Sequence, residues 1–372
     1  MRVLICGEIL HIGGAETVSI DLANALAERG VEVAYSAASG PLDARLSPGV
    51  RFERTPPVRP ASSIHFLRRF AEVLRTYQPD VLHAQGGTLA LTSRVLARMN
   101  GLHPAIVLTH HSTGYRRSPE LLSGPLLRVA CDHIIAISAA KHRQFQKMGF
   151  GASRLSLIPN FVDCRGIREA STHADRARLR ADLGITDSEV VVAMVGRMIP
   201  GKGFDVFLRS VARCAERVDR PLVALAVGDG PERARVERVA AALRGPARVV
   251  FTGYRRDATA LLSLCSAVLF PSALTEVLPM ALIEASAAGV PVVCSDVPGN
   301  REVVQHGVNG EIAGPSEESY ADALARILHD DARARSMGEA GRRLALENFD
   351  KQVVVPRILA LYADVVARVR GG

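Results

Sequence analysis

Glu276 and Glu284 are two carboxylates with seven residues between them in the stretch Thr275-Glu276-Val277-Leu278-Pro279-Met280-Ala281-Leu282-Ile283-Glu284-Ala285. The run between them is almost wholly apolar, and Ala285-Ser286-Ala287-Ala288-Gly289 follows. Acids at the two ends of a buried-looking helix are costly unless something polar meets them. Eight helical steps span about 12 Å. Carboxylates so spaced suit a ligand with hydroxyls at two places, as a sugar nucleotide has at its sugar and its ribose.

A cationic cluster lies upstream, in Val195-Gly196-Arg197-Met198-Ile199-Pro200-Gly201-Lys202-Gly203-Phe204. It follows a strand-like run and precedes a helix-like one. Backbone N–H groups at a helix N-terminus favour an anion, and Arg197 and Lys202 add two full charges. The pattern is not a GxxxxGK[ST] loop. A Gly-Lys-Gly turn alone is usually a surface loop, but its place after a strand, with Arg197 five residues earlier, points to phosphate binding. Gly228-Asp229-Gly230-Pro231-Glu232 closes another strand, where the glycines serve either a ligand or only a tight turn. Thr252-Gly253-Tyr254-Arg255 closes the next, and reads equally as a base-recognising loop or a plain connection.

The first half has its own strand-end groups. His11-Ile12-Gly13-Gly14-Ala15-Glu16 links a strand to a helix, and its glycines let backbone approach an anion. The spacing is not GxGxxG, which argues against a dinucleotide oxidoreductase. Thr109-His110-His111-Ser112-Thr113-Gly114 ends another strand and suggests a cleft lining. No Asp, Glu or Cys stands nearby at ligand spacing, so no metal site is expected there.

These groups need a scaffold that gathers strand ends. Residues 2–6, 31–35, 81–83, 105–109 and 134–138 read as strands, with helices over 16–29 and 89–99. Residues 163–188 break the rhythm. Strands at 190–195, 222–227, 248–251, 267–270 and 291–294 then alternate with helices over 204–216, 231–243 and 280–288, and helical segments run from 317 to 370. That alternation predicts two α/β, doubly wound halves facing across a cleft, with ligands beyond the carboxyl ends of the strands. The 372 residues exceed what one core usually covers. The expected division is 1–165, 166–350 and a terminal helix at 351–372.

Composition narrows the class. No leader-like or membrane-spanning run is present in the sequence, and six scattered cysteines without CxxC spacing read as reduced thiols of a cytoplasmic protein. Residues 1–160 carry 18 basic against 11 acidic side chains, so almost all of the net +8 lies there. The excess, with Arg68, Arg69, Arg75, Arg116, Arg117, Lys141, Arg143 and Lys147 contributing, is either a solvated surface or a face for anionic lipid or a phosphorylated acceptor. Aromatic content of 5% without a stacking pattern argues against nucleic acid.

Taken together, the Gly-Gly loop, the strand-end histidine, the Arg197…Lys202 pair, the Gly-Asp-Gly-Pro turn, Thr252-Gly253-Tyr254 and the Glu-x7-Glu pair resemble glycosyltransferase family 4, over nearly the whole chain. The resemblance implies the GT-B fold, with a C-terminal helix at about 351–370 crossing back to the first domain. It also implies a retaining transfer of a hexose-type sugar from a nucleoside diphosphate sugar, UDP-linked first and GDP-linked next. By that likeness Glu276 holds donor-sugar hydroxyls, Glu284 the ribose, and Arg197 with Lys202 the diphosphate. Gly14, beside Gly13, approaches the donor phosphates, and His110 stands near the reacting centre. Gly196, Gly228, Gly230, Tyr254, Arg255, Val277, Leu278 and Pro279 line the donor site.

Val277 stands where the family often has glycine, which bears on the sugar pocket, and His111 doubles His110. The carboxylates then position rather than act as a glycosidase pair, while cations stabilise the leaving diphosphate. No metal or other cofactor is implied. The acceptor, bound by the first domain, would be a carbohydrate, a lipid-linked molecule or a small molecule, in polysaccharide, glycolipid or other glycoconjugate synthesis. The enzyme would be cytoplasmic, either free or peripheral on the inner face of the membrane. A non-catalytic nucleotide-sugar-binding protein and a GT-B epimerase or phosphorylase are the alternatives.

Overall fold

β-Branched runs of four to eight residues alternate with amphipathic segments along most of the chain, and a computed structural model turns that alternation into two parallel sheets. It describes residues 1–57, 63–111, 120–273 and 276–371. The chain divides into two compact units, Met1–Asn160 with Lys351–Gly372, and Phe161–Asp350. The break comes at 160/161 rather than at the expected 165/166. Val162 donates its N–H to Phe349 O at 2.9 Å and bridges to Asp350, which ties the start of the second unit to its end.

The first unit holds β1 (Arg2–Ile9), α1 (Gly14–Ala27), β2 (Glu32–Ala38), β3 (Val50–Arg54), α2 (Ser63–Tyr77), β4 (Val81–Ala84), α3 (Gly87–Met99), β5 (Ala105–Thr109), α4 (Glu120–Ala130), β6 (His133–Ala136), α5 (Ala139–Lys147) and β7 (Leu155–Leu157). Its strands run in parallel in the order β3-β2-β1-β4-β5-β6-β7. β4 and β5 are buried along their whole length, as strands covered on both faces must be. Phe66, Phe70, Leu89, Leu96, Ala130 and Phe145 lay α2 to α5 over one face of the sheet, against Leu4, Leu82, Leu108 and Ile134.

The second unit holds α6 (Cys164–Thr172), α7 (Arg176–Asp182), β8 (Val190–Val195), α8 (Phe204–Ala215), β9 (Leu222–Val227), α9 (Arg233–Ala242), β10 (Arg248–Gly253), α10 (Ala258–Leu261), β11 (Cys265–Phe270), α11 (Met280–Ala288), β12 (Val292–Ser295), α12 (Pro298–Arg301), β13 (Gly310–Ala313), α13 (Glu317–Leu328) and α14 (Asp331–Asn348). The parallel order is β10-β9-β8-β11-β12-β13. α11 is apolar nearly all round and buried, packed against α6 and α14, and it stops at Gly289, whose φ of 79° suits glycine. A last helix, α15 (Lys351–Gly371), belongs to the first unit, where Tyr362 and Val365 are fully buried.

β3, β7 and β13 were not expected from the sequence. They are short edge strands, and Arg51 and Glu53 interrupt the apolar pattern of β3. The polar stretch at 163–188 forms α6 and α7, capped by Asp163 and Asp175. All six cysteines are thiols. Among the described residues no helix is long and apolar enough to cross a membrane.

Candidate active site

The strand order of the second unit reverses between β8 and β11, and in open α/β sheets such a switch point opens a crevice beyond the strand ends. Lys202, from the loop after β8, meets Glu276, from the loop after β11. The lysine Nζ lies 2.8 Å from Glu276 Oε1 and 5.0 Å from the centre of the Phe270 ring. Ser272 Oγ donates to the same carboxylate oxygen at 2.7 Å. The two side chains of the ion pair are 19% and 10% exposed, so the pair is screened far less than a surface one. Arg197 is exposed in the same loop as Lys202, without an ion pair among the described residues.

The expectation that Glu276 and Glu284 end one helix fails. α11 begins at Met280, after Pro279, and the residue before a proline is driven out of the helical region. Glu276 therefore stands on the strand-to-helix loop, and the helical spacing of about 12 Å does not apply to the pair. Glu284 sits in the middle of α11 and is half-buried. Val277 and Leu278 are buried, and Pro279 occupies the N-cap position.

Glycines explain how these loops come so close. A Cβ on Gly228, at φ 134°, would stand 1.9 Å from Gly196 O, and one on Gly230 would stand 2.4 Å from Met198 O. The space so kept is filled by backbone hydrogen bonds, Met198 N–H to Asp229 O at 2.8 Å and Glu232 N–H to Met198 O at 2.9 Å. The tight-turn role left open for Gly228 and Gly230 is thus occupied. Gly203, at φ 88°, leaves room for Pro271 O, and Ala273 N–H donates to Gly201 O at 2.9 Å, which joins the β8 and β11 loops. Tyr254 is exposed, and Arg255 forms a bidentate pair with Asp257, at 2.6 and 2.7 Å.

Helix termini add partial charge. α6, α7, α13 and α14 begin with an Asp or Ser side chain capping a backbone N–H. α8 and α11, which start at the candidate site, have no side-chain cap, and neither has α1. Backbone N–H groups at such starts favour an oxyanion, although at α8 those of Asp205 and Val206 meet the Asp205 carboxylate. At α1 the Glu16 carboxylate folds over the turn, since a Cβ on Gly13 would lie 2.3 Å from Glu16 Oε2. Gly14 is the first residue of that helix.

In the first unit His110 and His111 follow β5. The His110 ring meets Phe145 edge-on, with centres 5.9 Å apart, and His111 Nε2 is 2.8 Å from Gln85 Oε1 after β4. Burial pushes both imidazoles down to about 4, helped at His110 by Lys141 and at His111 by His110. Behind them, His83 bridges Tyr362 Oη of α15 at 2.6 Å and Thr109 Oγ1 at 2.7 Å, and burial lowers it to about 3. All three rings are neutral near pH 7. Ser112, Thr113, Gly114, Arg116 and Arg117 lie outside the described residues, as does Thr275. Among the described residues no three His, Cys, Asp or Glu side chains cluster as metal ligands.

Sequence reasoning missed Ser272, Phe270 and Gln85. Each lies at the carboxyl end of a strand, the one signal that marked them.

Two family descriptions cover most of the chain. Glycosyltransferase Family 4 matches residues 12–165, and Glycosyl transferases group 1 matches residues 175–344. A GDP-mannose-dependent alpha-(1-6)-phosphatidylinositol monomannoside mannosyltransferase of Mycolicibacterium smegmatis is 31% identical over 266 residues, 68% of each chain. The chain belongs to glycosyltransferase family 4. Another similar protein is the N-acetyl-alpha-D-glucosaminyl L-malate synthase of Bacillus anthracis, 26% identical across 97% of this chain and 96% of its own. Among solved structures, Anabaena HepE in complex with UDP and glucose shares the fold, with a TM-score of 0.80 at 23% identity over 98% and 99% of the two chains. The two parallel-sheet, Rossmann-like domains of this family 4 protein are thus those of GT-B glycosyltransferases.

Proposed function

We propose that this glycosyltransferase moves a hexose-type sugar, with retention of configuration, from a nucleoside diphosphate sugar to a hydroxyl acceptor in polysaccharide, glycolipid or other glycoconjugate synthesis. UDP-sugars are the first choice of donor and GDP-sugars the second. The observation that carries the reading is the Lys202–Glu276 pair at the switch point, flanked by Arg197 and the uncapped start of α8. It presents cations and backbone N–H groups for a diphosphate beside a carboxylate for sugar hydroxyls.

Cleavage of the sugar–phosphate bond leaves negative charge on the diphosphate. Arg197, Lys202 and the α8 N-terminus stabilise that charge as it develops. Glu276 accepts hydrogen bonds from the sugar, and Glu284 from the ribose. The leaving phosphate takes the acceptor proton on the face from which it departs, which retains configuration. His110, neutral near pH 7, offers a hydrogen bond to the sugar without placing a second positive charge beside an oxocarbenium-like centre. The side chains supply the cationic charge, so the proposal includes transfer without a divalent metal.

The test is to incubate purified protein with UDP- and GDP-sugars, before and after chelation, and to follow nucleotide release and the anomeric proton of the product by NMR. Release of UDP or GDP with a retained anomer supports the reading. No nucleotide release from any donor, or an inverted product, overturns it.

The proposal extends to an anionic membrane surface. Ile64 and Leu67 of α2, Val95 and Met99 of α3, and Leu126 and Val129 of α4 are exposed on one helical layer of the first unit, among Arg68, Arg98 and Arg128. Apolar side chains amid arginines suit an acidic interface. Sedimentation with phosphatidylglycerol vesicles but not with phosphatidylcholine vesicles is the expected result.

A further inference from the structure

In the free protein one of the three N–H groups of the Lys202 ammonium is directed at the Glu276 carboxylate, at 2.8 Å. Binding of the donor in the manner proposed above draws the lysine towards the diphosphate and weakens its hold on Glu276. Left alone, Glu276 would be a nearly buried carboxylate without its counter-ion, which is strongly unfavourable.

The second donor on Glu276 Oε1 is Ser272 Oγ, at 2.7 Å. Its other acceptor within reach, Gly201 O, is at 3.5 Å, so the single hydroxyl proton is directed at the carboxylate. Ser272 is fully buried and has little freedom to turn. Its carbonyl accepts from Ser295 Oγ at 2.7 Å, and Ser295 in turn is held by Asn300 Nδ2, at 2.9 Å to its carbonyl and 3.0 Å to its hydroxyl. Close packing fixes the backbone of Glu276 as well, since a Cβ on Gly299 would fall 2.1 Å from the Glu276 carbonyl oxygen. The hydroxyl is thus anchored independently of the lysine.

We propose that Ser272 is the positioning residue for this exchange of partners: its hydroxyl holds Glu276 Oε1 in place while Lys202 moves to the diphosphate of the donor. The inference rests on the donor reading above and adds to it a residue and an energetic order. Two donors on one oxygen weaken each other, so the serine bond strengthens when the lysine leaves. Its contribution is larger in the bound state than in the free one, and it favours binding.

The probes are UDP and GDP, which carry the diphosphate but no sugar to replace the lysine at Glu276. Calorimetric titration of the full chain compares the wild type, Ser272→Ala, Glu276→Gln and the double variant, with melting temperatures recorded for each. Ser272→Ala leaves the carbonyl contact with Ser295 in place. It should weaken the better-bound nucleotide about five- to tenfold, a part of one hydrogen bond to a charged group, because the bond is also made in the free protein. Glu276→Gln should tighten binding severalfold, because the lysine is released. In the Glu276→Gln background the loss from Ser272→Ala should shrink to less than twofold. A merely structural serine would cost the same in both backgrounds, and that outcome overturns the inference, as does a Ser272→Ala protein that binds like the wild type. Binding of neither nucleotide by the wild type overturns the donor reading itself, and the inference with it.

Discussion

A lysine and a carboxylate pair at the strand ends of the second unit, whereas beside β4 and β5 of the first three histidines stand neutral. In the second, Lys202, Glu276, Ser272, Ser295 and Asn300 form a continuous chain of contacts from the β8 loop to α12. In the first, His83, His110 and His111 are held without charge by burial, with hydroxyl, amide and aromatic partners. A reaction that expels a diphosphate needs full charges where the negative charge appears. A group beside an electron-poor sugar serves better as a neutral hydrogen-bonding partner. Under the proposed function the contrast would divide the work, with charge stabilisation from the second unit and hydrogen bonding from the first.

The strongest test of that division is the ratio of two losses. Lys202→Ala removes a cation from beside the leaving diphosphate, and turnover should fall about a thousandfold. It also strips Glu276 of its counter-ion, so a melting curve must accompany the kinetics. His110→Ala removes one hydrogen bond of a neutral ring and should lower turnover about tenfold. Because burial already keeps His110 near 4, the wild-type rate should show no histidine limb between pH 6 and 8. Equal losses from the two variants would break the contrast.

The second test separates scaffold from ligand contact. Gly228→Ala places a Cβ 1.9 Å from Gly196 O at a φ of 134°, a conformation nearly confined to glycine. Backbone strain and overpacking together should cost about 3 kcal/mol of stability. Urea unfolding monitored by circular dichroism measures it. A variant as stable as the wild type would mean that the glycine serves the ligand alone. The unaltered Asp229 and Met198 contacts would then need another explanation.

Much of the first-order arrangement was legible in the sequence, because a cation flanked by glycines after a strand and a carboxylate at the end of another strand can meet only where parallel strand ends converge. The pairing of Lys202 with Glu276 was not legible. It depends on the reversal of strand order between β8 and β11, a tertiary property without local signature. The expected helix over 280–288 is the one found, but the helical spacing drawn from Glu276 to Glu284 fails, because Glu276 precedes Pro279 and so stands outside that helix. Ser272 escaped because a neutral hydroxyl becomes informative only once its acceptor is known. β3, β7 and β13 escaped because edge strands are short and carry polar residues, as edges should.

The smallest effect follows from titration and sharpens the same contrast. His83, His110, His111 and His133, all in the first unit, have folded-state values of about 3 to 4 against an ordinary 6.5, in each case chiefly through burial. The unfolded chain binds protons on these rings before the folded one does. Their contribution to stability is therefore complete above pH 6.5 and lost as pH falls towards 4. In the second unit the hydrogen bonds and charge of Arg248 bring Glu189 down to about 2 from 4.5. The side chain of Arg255 likewise lowers Asp257. Those contributions persist until pH falls below about 4.5, where the unfolded carboxylates begin to take up protons. Between pH 7 and 5 the first unit should lose hydrogen-exchange protection while the second keeps it. Exchange of the full chain, read by mass spectrometry and corrected for intrinsic rates, should show β4 and β5 opening before β8 and β9. Parallel loss in both units would show that the histidines are not what distinguishes them; loss confined to the strands beside His83 and His110 would tie the neutrality of the first site to the stability of its own scaffold.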